Sequence, residues 1–169
     1  MFKFLSASNA DMTRFVKLEN CETGKIEVCF DDSDLRHEHQ KGFEFMQVGS
    51  VYDCKILLFG IAIDLSDEEA IEQSRILCRT TARELLVCET IDSYSSVGNR
   101  KLLQVISDGN IYYVDINDAA ALNDCRRFVF RCSRKDLVQV DDVVHPSFLR
   151  ELIFDRTRLF EYRRTKKIT

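Results

Sequence analysis

One proline, six glycines and three histidines are scattered through this 169-residue chain. So few histidines leave little scope for general acid–base catalysis. Catalytic signatures are missing as well. There is no glycine-rich phosphate loop, no Gly-x-Gly-x-x-Gly, no Gly-x-Ser-x-Gly elbow and no His-Glu-x-x-His. No apolar run approaches the roughly 20 residues of a membrane span. The longest, Ile56 to Ile63, is interrupted by Gly60. Met1–Leu5 is too brief an apolar stretch for a secretory signal, so a cytoplasmic location is the expectation, with no membrane partner. Internal repeats and low-complexity linkers are absent too.

Seven cysteines are present, an odd number, and no pair has the two-residue spacing of a zinc knuckle or redox motif. Several stand inside apolar runs, as in Val28-Cys29-Phe30, which reads as buried free thiols in a reducing compartment. Hydrophobic residues make up 45% of the chain and charged residues 31%, enough for a core and a solvated surface. The net charge of −4 is unevenly spread. Residues 1–72 carry 7 Lys/Arg against 15 Asp/Glu, residues 73–140 carry 10 against 8, and residues 141–169 carry 7 against 5. An acidic first part and mildly basic later parts suit two faces or two domains with different partners, or mutual attraction within one fold.

Periodicity supplies the elements. Phe15–Asn20 and Lys25–Phe30 alternate about Thr23-Gly24 and read as a half-buried hairpin, with Val16, Leu18, Ile26, Val28 and Phe30 inward. Val51–Leu58 alternates Tyr52, Cys54, Ile56 and Leu58 with Asp53 and Lys55, a strand expected to run on through Phe59 and stop before Gly60. Asp108-Gly109 suits a type I′ turn joining Lys101–Ser107 to Asn110–Ile116, with Val105 opposite Tyr112, Leu103 opposite Val114 and Gln104 opposite Tyr113. Arg127–Cys132 and Leu137–Val140 are further strand candidates. Ser66-Asp67-Glu68-Glu69 reads as a capping box opening a helix over about 67–86. Pro146 opens a second helix through about 163, although Arg158–Arg164 also alternates like a strand.

The expected class is therefore α+β and strand-rich, built on one or two small antiparallel barrels or twisted sheets. The divisions are an acidic strand-rich half at 1–64, a connecting or inserted helix at 65–87, a basic strand-rich half at 88–142 and a C-terminal helix or tail at 143–169, or all of these in one domain. Strands, a glycine-introduced strand at Val51–Leu58, a helix, then a hairpin and a closing strand resemble an oligonucleotide/oligosaccharide-binding (OB) barrel over residues 12–140. The resemblance is to the fold, without a family motif, and implies binding rather than a particular ligand.

Three functional readings follow. The first is a non-catalytic binding or scaffolding module without a cofactor, meeting another protein or its own copy through a sheet face or edge. The second is single-stranded nucleic-acid or anion binding by the basic strand Arg126–Lys135. There Arg127, Arg131 and Lys135 share a face opposite Phe128 and Phe130, with Arg100, Lys101 and an outward Tyr113 from the preceding hairpin. The third is a metal-dependent enzyme, with Asp31 and Asp32 gathered against His37 and His39. An acidic chain lacks the broad basic footprint that the second reading favours, and a charged loop explains the third set adequately.

Overall fold

The structure, a computed structural model, describes residues 1–10, 13–33, 42–115 and 126–149. A meander of β1 (Phe2–Ala10), β2 (Thr13–Asn20) and β3 (Ile26–Asp31) opens it. One 3-10 turn (Phe43–Phe45) and the two-residue β4 (Val51–Tyr52) lead into β5 (Cys54–Asp64), helix α1 (Glu68–Thr80) and β6 (Glu84–Val97). Then come β7 (Arg100–Ser107), β8 (Asn110–Asp115), β9 (Arg127–Val140), β10 (Val143–Val144) and the single helical turn α2 (Pro146–Leu149). The order β9-β5-β8-β7-β6 returns to β9, so five strands close into a barrel and have no free outer edge. The meander adds strands outward from β9 in the order β3-β2-β1-β4. Most pairings are antiparallel, but β5–β8 and β3–β9 are parallel. No helix among the described residues is long and apolar enough to cross a membrane.

The Asp108-Gly109 turn forms as its chemistry demands, with φ of 49° and 75°, and its register sets Val105 against Tyr112, Leu103 against Val114 and Gln104 against Tyr113. Cys54, Ile56 and Leu58 point inward as alternation requires. Gly60 does not end that strand. A Cβ there would stand 2.1 Å from the Arg131 carbonyl oxygen, so glycine lets β5 continue against β9 through a register shift.

Helix α1 is shorter than its periodicity predicts, and its cap lies one residue later. Asp67, not Ser66, accepts from the Ala70 N–H at 3.0 Å, while the Ser66 hydroxyl turns back to Asp64. At the other end Thr80 and Thr81 donate their hydroxyls to the Leu77 carbonyl, and the chain leaves as the extended strand β6. Pro146 does open a helical turn; the rest of the predicted C-terminal helix lies outside the described residues.

The largest cluster of buried apolar residues joins the meander to the barrel. Phe2, Phe4, Val16, Leu18 and Cys29 pack with Ile56, Leu58, Val105, Tyr112, Phe128 and Phe130. At about 1.5–3 kcal/mol for each fully buried large side chain, this cluster is the main support of the fold. A second cluster on the outer side of the barrel gathers Leu57, Val97, Leu102, Tyr113 and Val138 under Phe148. A third, of Ile63, Ile71 and Val129, seats α1. The hairpin β2–β3 forms, but β3 is turned over relative to the predicted pattern. Glu27 and Cys29 face inward, while Ile26 and Val28 face out.

Candidate interaction surface

The inversion of β3 has its cause inside the protein. The Glu27 carboxylate accepts hydrogen bonds from the Tyr112 hydroxyl (2.5 Å), Asn110 Nδ2 (2.7 Å) and Lys135 Nζ (2.6 Å). Lys135 also donates to Glu84 at 2.6 Å, and Asn20 Nδ2 donates to Asn110. A buried charge is tolerable only with such partners. Burial opposes the Lys135 ammonium, yet the hydrogen bonds it donates to Glu27 and Glu84 outweigh that and its pKa is raised. Burial, reinforced by Glu27, pushes the Tyr112 phenol up, so both groups keep their protons at neutral pH. The network fastens β2 and β3 to β6, β8 and β9.

Lys135 is thus not on the outer face with Arg127 and Arg131, as strict alternation predicts. Ser133 and Arg134 are both exposed and the β5–β9 register shifts beside them, so a bulge returns the next residue to the interior. Tyr113 does face outward, but the cluster under Phe148 buries it, with Lys55 Nζ 5.8 Å from its ring. The Arg100 guanidinium stacks 4.4 Å over the Phe148 ring. Arg131 donates to Ser74 of α1 at 3.3 Å. Lys101, lying over exposed Tyr94 at 4.4 Å, and Arg127 remain at the surface. They flank Ser96 and Glu89, seven residues apart on β6, a separation of roughly 20 Å along the strand. The six residues do not converge.

Of the predicted metal ligands, Asp31 is buried beside Arg14, 3.6 Å away, and accepts from the Ser33 N–H. Asp32 instead meets His145 Nε2 at 2.9 Å. His37 and His39 lie outside the described residues, among which no three His, Cys, Asp or Glu side chains are grouped to hold a metal. The other His145 nitrogen accepts from the Ser147 N–H, so the ring braces the start of α2. The six described cysteines are free thiols, four of them buried. An open concavity of about 510 Å³ beside Glu89, Thr90, Ile91, Ile106 and Arg126 has its charges matched within a Glu89–Arg126 pair.

The unexpected feature is the outer face of β2, β3, β9 and β5. Phe15 stands opposite Phe30 across β2–β3, their rings edge to face at 5.9 Å. Next in the row, the Arg134 guanidinium lies 4.4 Å from the Phe30 ring centre and 5.2 Å from that of Phe59, its cross-strand partner. Asp136 clamps the same guanidinium through two hydrogen bonds, of 2.5 and 2.8 Å. Burial raises the Asp136 pKa, and Arg134 opposes that shift. Val28 on β3 and Ile61 on β5 widen the row along the same side. Val28, Phe59 and Ile61 are each more than half exposed, and Phe15 is 40% exposed. No protein-family model, curated protein or solved structure matches this chain. The surface must therefore speak for itself. Sequence reasoning missed it because it assigned Val28 and Phe30 to the core; the one local hint is Glu27, a carboxylate in the middle of an apolar strand.

Proposed function

We propose that this protein is a non-catalytic binding module that docks a polypeptide on the outer face of β2, β3, β9 and β5. The observation that carries this reading is the row Phe15–Phe30–Arg134–Phe59, left in water beside Val28 and Ile61. Covering apolar surface is favourable by about 25 cal/mol per Å², and aromatic and arginine side chains dominate interface hot spots. The charges around the row specify the partner further. Lys17 has no ion-pair partner among the described residues, and Arg131 holds only a serine hydroxyl. The fitting partner is a segment of apolar side chains interspersed with carboxylates.

Selection from a displayed random-peptide library is the direct test. Enriched peptides should be apolar and acidic, should lose binding to Phe59→Ser, and should lose their acidic preference against Arg131→Glu. Peptides that bind Phe59→Ser as well as the unaltered chain would overturn the assignment of this face.

A second reading has a specific observation behind it. The closed barrel has five strands, as an OB barrel does, and exposed rings with Lys17, Arg131 and Arg134 are what stacked bases and phosphates require. The aliphatic neighbours Ile26, Val28 and Ile61 favour the polypeptide. Salt-sensitive anisotropy with fluorescent single-stranded DNA or RNA, lost in Phe59→Ser, would replace the polypeptide with nucleic acid on the same face.

A further inference from the structure

The barrel has no free edge, but among the described residues the meander has one. Strand β4 covers only Phe2 and Lys3 of β1, and the next residue, Phe4, exchanges hydrogen bonds with Ser50 and Gly49. Beyond Phe4, no described residue bonds the side of β1 that faces away from β2. Which residues point that way follows from the ladder. The Phe4 N–H and C=O face away from β2, and the bulge at Leu5 inserts one residue before Ser6 pairs with Lys17. Alternation then turns Ser6 and Ser8 toward β2, and Ala7 and Asn9 toward open solvent. Exposed edges are ordinarily blunted by lysine, proline or inward charge. Leu5-Ser6-Ala7-Ser8-Asn9-Ala10 has none of these, and Ser6 to Asn9 are exposed.

We propose that this edge pairs antiparallel with the same edge of a second copy, about a two-fold axis through Ser8. Ala7 of each copy then exchanges both backbone hydrogen bonds with Asn9 of the other, and every outward group of that stretch is satisfied. The edge carries no charge, so two chains of net charge −4 meet there without like charges opposed. Its small side chains allow close approach.

The axis also has a consequence for the outer face. Ser8 is in register with Phe15, and Phe15 with Phe30. Pairing at Ser8 therefore sets the aromatic rows of both copies in one line across a continuous sheet, the two Phe15 positions about 14 Å apart at three strand spacings. The dimer would present one long bivalent docking surface. Only that use rests on the proposed function; the pairing stands on the edge itself. One short strand pair buries far less than the roughly 1,200 Å² of a stable interface, so the self-association should be weak and concentration-dependent.

Sedimentation velocity across a concentration series tests it. The unaltered chain should pass from monomer to dimer. Ala7→Pro removes only an outward N–H, which an edge strand tolerates, and should weaken dimerisation about tenfold or more. Ala7→Lys, which puts like charges at the axis without constraining the backbone, should do the same and decides the matter if the proline variant does not fold. Phe59→Ser should dimerise normally, which separates failure of the docking face from failure of the edge. A chain that stays monomeric at the highest attainable concentration, or variants that dimerise as the parent does, would overturn the proposal.

Discussion

On β3, Glu27 is fully buried while Val28, the next residue, is 54% exposed; on β9, Lys135 is buried and Arg134 lies outside against two phenylalanine rings. At these positions the two sides of one sheet reverse the usual arrangement, with an ion pair set into the apolar core and aromatic rings in water. The inward side explains the outward one. Turning β3 over would bury Ile26 and Val28, worth about 1.5–3 kcal/mol each, but would take Glu27 from Tyr112 and Asn110 and leave Lys135 with Glu84 alone. Breaking a buried ion pair costs up to about 3–5 kcal/mol, and the charge-assisted hydrogen bonds from Tyr112 and Asn110 add about 1.5–3 kcal/mol each. The interior network therefore holds the strand with its apolar side outward, and the exposed row is a lasting feature of the fold.

The sharpest way to break this comparison is at Lys135. Lys135→Met should destabilise the protein by about 3–5 kcal/mol in urea unfolding, because buried Glu27 loses its 2.6 Å partner and keeps only the looser 3.8 Å contact with Lys25. Adding Glu27→Leu to that variant should recover much of the loss, since an apolar pair of similar volume needs no partner. A single variant costing less than about 1 kcal/mol would mean that the network does not hold β3 in place.

Raising the pH attacks the same interior from another direction. Burial pushes the Cys54 and Cys88 thiols up to about 12 and Cys132 to about 11, and the Lys135 and Tyr112 pKa values are raised as well. In each case the folded pKa exceeds the unfolded one, so the native state holds protons that the unfolded chain releases. The associated stability is intact below the unfolded values, near 9 for the thiols, and is lost as pH climbs toward the folded ones. The urea midpoint should be level up to about pH 8.5 and fall steadily above pH 9, an order-of-magnitude window set by ordinary thiol titration. A midpoint that rises over that range would contradict the sign of these shifts.

The sequence made one region of the molecule far more legible than the other. The Asp108-Gly109 hairpin and the inward face of β5 were readable because their determinants are local, a turn that needs positive φ and an alternation that pairs with nothing unusual. The start of α1 was readable to within a residue, but its end was not, because Ala82 and Leu85 continue a helical spacing into what is strand β6. The facing of β3 and the placement of Lys135 depend on each other across 108 residues, and the bulge at Ser133–Arg134 has no local signature. The candidate site inherited both errors. Alternation puts Arg131 and Lys135 on one outer face, whereas Arg134 between Phe30 and Phe59 is the cation that sits on exposed rings.

The smallest expected effect is the most discriminating one. Phe59→Ser removes a ring that is 54% exposed and touches Arg134 from one side, while Phe30 and Asp136 still hold the guanidinium. The change in folding stability should therefore stay within about 1 kcal/mol, the scale of a surface substitution plus one exposed cation–π contact. A loss of several kcal/mol would show that the row is a load on the fold rather than a surface kept free for a partner. A near-neutral change joined to loss of peptide binding separates the two sides of the sheet. The inward side would then hold the protein together, and the outward side would be exposed for another molecule to cover.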